Sequence, residues 1–188
     1  AKTPADANRY LSNTAALRVV LWLASIPLLT GFFLTRAVTK PLEPATILAI
    51  SLFALGLLPS NMSASLSAVF NAYERMEVPA SITTFTTLLK VTLGTVALIA
   101  GTGYVGLAGV SIIVNIVTML VLYTLARSML FRPHIEIDWA FQKRMFRTSY
   151  PLMINLLLAT LFFKVAMLLL EWLIPDPRVL GWYGAAYK

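Results

Sequence analysis

Long apolar runs separated by short polar stretches organise the whole chain. Five of them reach the roughly 20 residues that a helix needs to cross about 30 Å of hydrocarbon. They predict helices over about 11–35, 44–73, 79–101, 104–129 and 149–174, and a sixth run opens near Val179. The punctuation between them agrees. Pro41 and Pro44 break the first connection. Pro79 opens the third run at a first-turn position, where a missing N–H costs nothing. Gly101, Thr102 and Gly103 make a very tight loop, and Pro175 and Pro177 end the fifth run. Pro27 and Pro59 fall inside runs and should kink them, which membrane helices tolerate.

Composition makes the bilayer reading necessary. The 188 residues are 59% hydrophobic and 12% charged, against about 45–50% and about 25% in soluble domains. A mean hydropathy of +0.79 leaves more apolar surface than a compact soluble fold of this length can hide. The fold class expected is therefore all-α, a polytopic transmembrane helix bundle. There is no cysteine, which excludes a disulfide framework, a thiolate zinc site and a cysteine nucleophile. The first residues lack the apolar core of a signal peptide. Since residue 1 is not Met and an apolar run reaches Lys188, the chain is expected to be a piece of a longer protein.

The segment 132–148 differs from the rest. It mixes Arg132, His134, Glu136, Asp138, Lys143, Arg144 and Arg147 with Trp139, Phe141 and Phe146. That pattern suits a linker lying in the membrane interface, with Asp138 capping a short helix that starts at Trp139. Residues 1–131 then belong to one transmembrane lobe and 149–188 begin a second. The net charge of +7 follows this topology and needs no nucleic-acid partner. With alternating spans, Lys2, Arg9, Arg75, Arg127, Arg132, Lys143, Arg144 and Arg147 share one side, and only Arg36, Lys40 and Arg178 lie on the other. The first side should be cytoplasmic.

Three cations do not fit the loop explanation: Arg18, Lys90 and Lys164. Lys90 is about 11 residues, or roughly 16 Å, from either end of its span, beyond the reach of snorkelling. A charge at that depth costs about 2.5–3.5 kcal/mol on insertion scales, so water, a carboxylate or an anionic ligand should offset it. Thr83, Thr86, Thr87, Lys90, Gly94, Ala97 and Gly101 share its helical face, and Ser60, Ser63, Ser67, Asn71 and Glu74 make a similar stripe on the second span. The small and hydroxylic residues read equally well as close helix packing; a lysine does not, so a water-filled cavity is the expectation for Lys90. Lys164 either lines such a cavity or bridges an acidic residue on another helix, since Glu171 is roughly 10 Å along its own helix. Arg18, about two turns into its span, is expected to snorkel to the cytoplasmic headgroups. Candidate substrate-binding residues are thus Lys90, Lys164, Thr86, Thr87, Asn71 and Ser67. The middle of these spans has no Asp or Glu, so the lining suits an anionic group such as a phosphate or pyrophosphate and not a cation.

No phosphate-binding glycine loop, serine–histidine–acid set or metal-ligand spacing occurs, and His134 is the only histidine. Neither catalysis nor a cofactor is expected. A membrane enzyme would need acidic or histidine residues on a loop, and the longest loop offers only His134, Glu136 and Asp138.

Residues 68–117, with the turn "NAYERME", and residues 147–188, closing on "LGWYGAAYK", carry a family resemblance. They resemble the fourth to sixth helices, and the seventh helix with the start of the eighth, of Wzx-type polysaccharide flippases. These belong to the multidrug/oligosaccharidyl-lipid/polysaccharide exporter superfamily. The resemblance covers nearly the whole chain and is least distinct over the first span. It implies a partial two-lobe transporter of at least twelve spans in a prokaryotic cytoplasmic membrane. Such a protein would flip lipid-linked oligosaccharide by alternating access, in contact with membrane lipids, with any coupling ion left open. By the same resemblance Lys90 and Lys164 would receive the pyrophosphate. Many relatives place an acidic residue shortly after a basic one in the seventh helix, where this chain has Ala166 after Lys164. Ion coupling through that pair is therefore in doubt. The alternative is a multidrug or cation antiporter of the same superfamily, which would want an embedded carboxylate that these spans lack.

Overall fold

Each apolar run coils because a bilayer offers no partner for backbone N–H and C=O groups, and a helix satisfies them within the segment. The computed structural model describes residues 4–39, 43–173 and 177–186. It contains α1 (Pro4–Thr39), α2 (Pro44–Ala72), α3 (Glu77–Ile99), α4 (Gly103–Met129), α5 (Trp139–Leu173) and α6 (Pro177–Ala186), with no strand among the described residues. Five of these helices are long and apolar enough to cross a membrane. The fold is all-α and polytopic. The expected breaks at Pro41 and Pro175 lie outside the described residues, as do the side chains of Ala166 and Glu171.

The chain divides into two compact units, Ala1–Asp138 and Trp139–Lys188. In the first, α2 and α4 pack along each other, α3 lies against α4 and α1 against α2. Small residues let the backbones approach. A Cβ added at Gly56 of α2 would stand 3.3 Å from Ile112 Cγ1 of α4, and one at Gly94 of α3 would stand 3.2 Å from Leu107 Cδ2. Leu11, Leu66, Val69, Phe70, Leu122 and Ala126 form a buried cluster at one end of the bundle. That cluster gathers the start of α1, the end of α2 and the end of α4, so these three sit at the same end, as alternating spans require. In the second unit α6 packs against α5.

The turns are built by helix C-caps. After α3 the Thr102 N–H bonds Ala97 O at 3.1 Å and the Gly101 N–H bonds Leu98 O at 3.0 Å, with Gly101 at φ 76°. This is a Schellman closure with glycine at its left-handed position. After α2 the same pattern recurs, Arg75 N–H to Phe70 O and Glu74 N–H to Asn71 O, but Glu74 holds the left-handed φ of 60°. A side chain there costs roughly 1–2 kcal/mol, which the buried Phe70 beside it helps to offset.

Two expectations change. Residues 139–148 are not a separate interfacial helix: α5 runs unbroken from Trp139, because no glycine or proline interrupts 139–150. Pro151 sits within it, as prolines do in membrane helices. And α1 begins at Pro4, about two turns earlier than the apolar pattern suggested, because Ala5 to Asn8 extend it as a polar-faced helix.

Candidate functional site

Pro59 lacks the N–H that would bond the carbonyl four residues earlier, so α2 is loosened where it crosses its neighbours. Side-chain donors of α1 and α4 reach other backbone carbonyls of α2 on both sides of this proline. Trp22 Nε1 donates to Ala54 O at 2.8 Å, Asn115 Nδ2 to Gly56 O at 3.2 Å, and the Arg18 guanidinium to Asn61 O. Arg18 therefore does not snorkel outward as the sequence suggested. The earlier start of α1 places it deeper along the helix, level with Asn61, and its guanidinium serves the backbone of α2. Ser63, on the polar stripe of α2, is likewise closed on its own helix through Pro59 O at 2.9 Å.

The other cation far from a helix end in this unit is Lys90, about 14 Å along the axis from the Ile99 end of α3. It is exposed, and among the described residues it has no ion-pair partner. Thr87 and Thr83 are exposed beside it at one and two turns' distance. Thr86 is buried, and its hydroxyl bonds Ile82 O at 2.8 Å and Thr83 O at 3.2 Å. The stripe read from the sequence thus divides. Thr86 and Gly94 are buried, while Thr83, Thr87 and Lys90 lie open at the margin of the packed face. Asn71 is exposed at the end of α2, with Ser67 half-buried one turn above. Lys164 is exposed on α5, in the second unit. Among the described residues no three His, Asp or Glu side chains gather as a metal ion would need.

The most developed polar network was not foreseen. Residues 132–138 run extended from the end of α4 and lie against the first turns of α1. Asn8 Oδ1 accepts from the His134 N–H at 2.9 Å, which makes its Nδ2 the donor to His134 Nε2 at 2.9 Å. Ser12 Oγ accepts from the Glu136 N–H at 2.6 Å. Asn13, fully buried, accepts from the Asp138 N–H at 2.9 Å and donates to Glu136 O at 3.1 Å and Arg9 O at 2.8 Å. Arg9 pairs with Asp138. An extended segment has no internal hydrogen bonds, and α1 supplies them with side chains at positions 8, 12 and 13. The signal in the sequence was the alternation of His134, Glu136 and Asp138 with Ile135 and Ile137, which is the period of an extended segment with two different faces.

Beside this strap an apolar groove of about 750 Å³ opens between α1 and α4, over α2. Leu11, Ala15, Val19, Leu66, Met119 and Ile137 are among the residues that line it.

With five membrane-crossing helices on the page, comparison by sequence decides the family. The model of the polysaccharide biosynthesis protein family matches residues 2–188. The chain belongs to that family. It is thus a multi-pass membrane protein, and the membership points to a transporter related to polysaccharide synthesis. Neither the curated proteins nor the solved structures compared with it gave a match.

Proposed function

We propose that this family member is a Wzx-type flippase. It moves lipid-linked oligosaccharide across a prokaryotic cytoplasmic membrane by alternating access of two lobes, without catalysing a reaction. The observation that carries this reading is Lys90. Of the two cations deep in the helices of the first unit, Arg18 is engaged by the α2 backbone, whereas Lys90 stands exposed in α3 with Thr87 one turn away. An ammonium facing hydrocarbon costs about 2.5–3.5 kcal/mol. Water and an anionic headgroup remove that cost, and a pyrophosphate is the headgroup that matches its sign. Lys164 is the corresponding cation of the second unit, Thr87, Asn71 and Ser67 would complete the lining on α2 and α3 while the buried Thr86 packs behind them, and the division after Asp138 is where two lobes would meet in sequence.

The test is transbilayer movement of a polyprenyl-pyrophosphate oligosaccharide in proteoliposomes containing the full-length protein. Wild type should move it. Lys90→Gln and Lys164→Gln, folded and inserted, should each lose tenfold or more, because removing a charge from a desolvated ion pair costs on the order of 1.5–3 kcal/mol. Equal rates in both variants would remove the lysines from the pathway. Movement of cationic drugs in place of the lipid would replace the flippase with an antiporter.

A further inference from the structure

The groove between α1 and α4 has a rim on the strap side that differs from its walls. Its walls are mostly apolar, with Ser12, Ser65 and His134 also in the lining. At its rim Tyr123 lines the groove from α4. Arg127 lies four residues further along α4, on the face that carries Tyr123 and Leu120, about 6 Å nearer the helix end. Arg132 directly precedes Pro133, where the strap joins the lining. Both arginines are exposed, and neither has a carboxylate partner among the described residues. A mostly apolar slot with a tyrosine in its lining, and two exposed arginines close in the chain to lining positions, has the polarity of a single lipid molecule, tail inward and anionic head outward.

The strap points the same way. Its amides at His134, Glu136 and Asp138 bond side chains of α1, and Ile135 and Ile137 line the groove together with Pro133 and His134. Ile135 is 89% exposed and Ile137 54% exposed. A water-facing linker would place polar residues there. Two isoleucines beside two arginines instead match the boundary between acyl chain and headgroup. The volume of about 750 Å³ lies within the roughly 300–1,000 Å³ of small-molecule pockets.

We propose that this groove is a binding site for one anionic phospholipid of the leaflet on the strap side. An acyl chain lies between α1 and α4, and the phosphate is held by Arg127 and Arg132. The site is separate from the face of α3 that carries Lys90, and it does not depend on what the protein transports.

The experiment is native mass spectrometry of the full-length protein exchanged into mixed micelles. The probes are phosphatidylglycerol, phosphatidylcholine of the same chain length, and a polyprenyl pyrophosphate. Wild type should retain phosphatidylglycerol in preference to phosphatidylcholine. The double variant Arg127→Gln/Arg132→Gln should bind it roughly thirtyfold more weakly, from a loss of about fivefold per cation near a headgroup. Ala15→Trp, which fills the groove, should abolish retention. If that variant loses helicity or monodispersity, Ala15→Leu and Ala16→Leu replace it with a smaller filling and should give a partial loss. Equal retention of phosphatidylcholine, or wild-type retention by the double glutamine variant, would overturn the site. Retention of the polyprenyl pyrophosphate alone would also overturn it and assign the groove to a transported lipid.

Discussion

At the residue scale, the seams of the bundle rest on a few positions where a single methyl group decides the outcome. Gly106, in the first turn of α4, is the clearest. A Cβ there would lie 1.8 Å from Thr102 Oγ1 and 2.6 Å from Thr102 Cβ. Thr102 cannot simply rotate away, since its hydroxyl donates to Ala97 O at 2.7 Å and its backbone closes the cap of α3. Gly106→Ala should therefore destabilise the protein by about 1–3 kcal/mol, as overpacking does. Gly109, three residues on, has nothing within 4 Å of its would-be Cβ. Gly109→Ala should be neutral or stabilising by up to about 1 kcal/mol through helix propensity. Thermal unfolding of the two variants in the same detergent checks both, and the double variant Thr102→Gly/Gly106→Ala should recover much of the loss. From sequence, Gly101, Thr102 and Gly103 read only as a tight turn, and Gly106 as part of the helix that follows. Which glycine answers to space and which to a left-handed φ depends on where Thr102 points, and that is a property of the folded turn.

At the element scale, the spans were legible because each depends on local apolar length, the one quantity a single sequence carries in full. Two of the places where the reading changed depend on a distant partner. Arg18 was read as an interfacial cation because its recipient, the carbonyl of Asn61, is 43 residues away and is a backbone atom with no sequence identity. The strap was read as an interfacial linker because its partners, Asn8, Ser12 and Asn13, lie at the other end of the first unit, more than 120 residues earlier. Asn13 is the hinge of that arrangement, for it is fully buried and serves the backbone at Glu136 and Asp138 at once. Asn13→Ala would leave one buried N–H and one C=O without partners, at about 1–3 kcal/mol for each group that water cannot reach. The expected outcome is local: the amide of Asp138 should exchange with solvent at least tenfold faster, while the amides of α2 and α4 stay protected. Hydrogen exchange read by mass spectrometry resolves the two. Uniform loss of protection across α2 and α4 would make Asn13 a core residue of the bundle and not a clasp for the strap. The Arg9–Asp138 pair should matter less, since its side chains are 42% and 31% exposed and water screens such pairs.

At the scale of the whole molecule, the question is whether Lys90 faces water or lipid, because the flippase reading stands on that difference. Among the described residues α3 packs chiefly against α4, with a smaller contact to α2, and Lys90 and Leu88 are both exposed and about 160° apart around its axis at 100° per residue. Leu88 is 63% exposed in the isolated chain and is the natural lipid-facing control. These residues contain no cysteine, so a single introduced thiol reports on one position without background. A thiol reacts as its thiolate, and in hydrocarbon neither a thiolate nor a charged membrane-impermeant reagent is available. Lys90→Cys should therefore label with a cationic methanethiosulfonate at least tenfold faster than Leu88→Cys, in the membrane and without detergent. A polyprenyl pyrophosphate bound in the cavity should slow position 90 and leave position 88 unchanged. Equal and slow labelling at both positions would put Lys90 in lipid or in a protein contact, and the headgroup site would have to be sought on another helix. Fast labelling at 90 without protection by the pyrophosphate lipid would keep the aqueous cavity and remove this substrate from it. The two readouts separate the existence of a water-filled path from the identity of what travels along it, which neither hydropathy nor family membership can do.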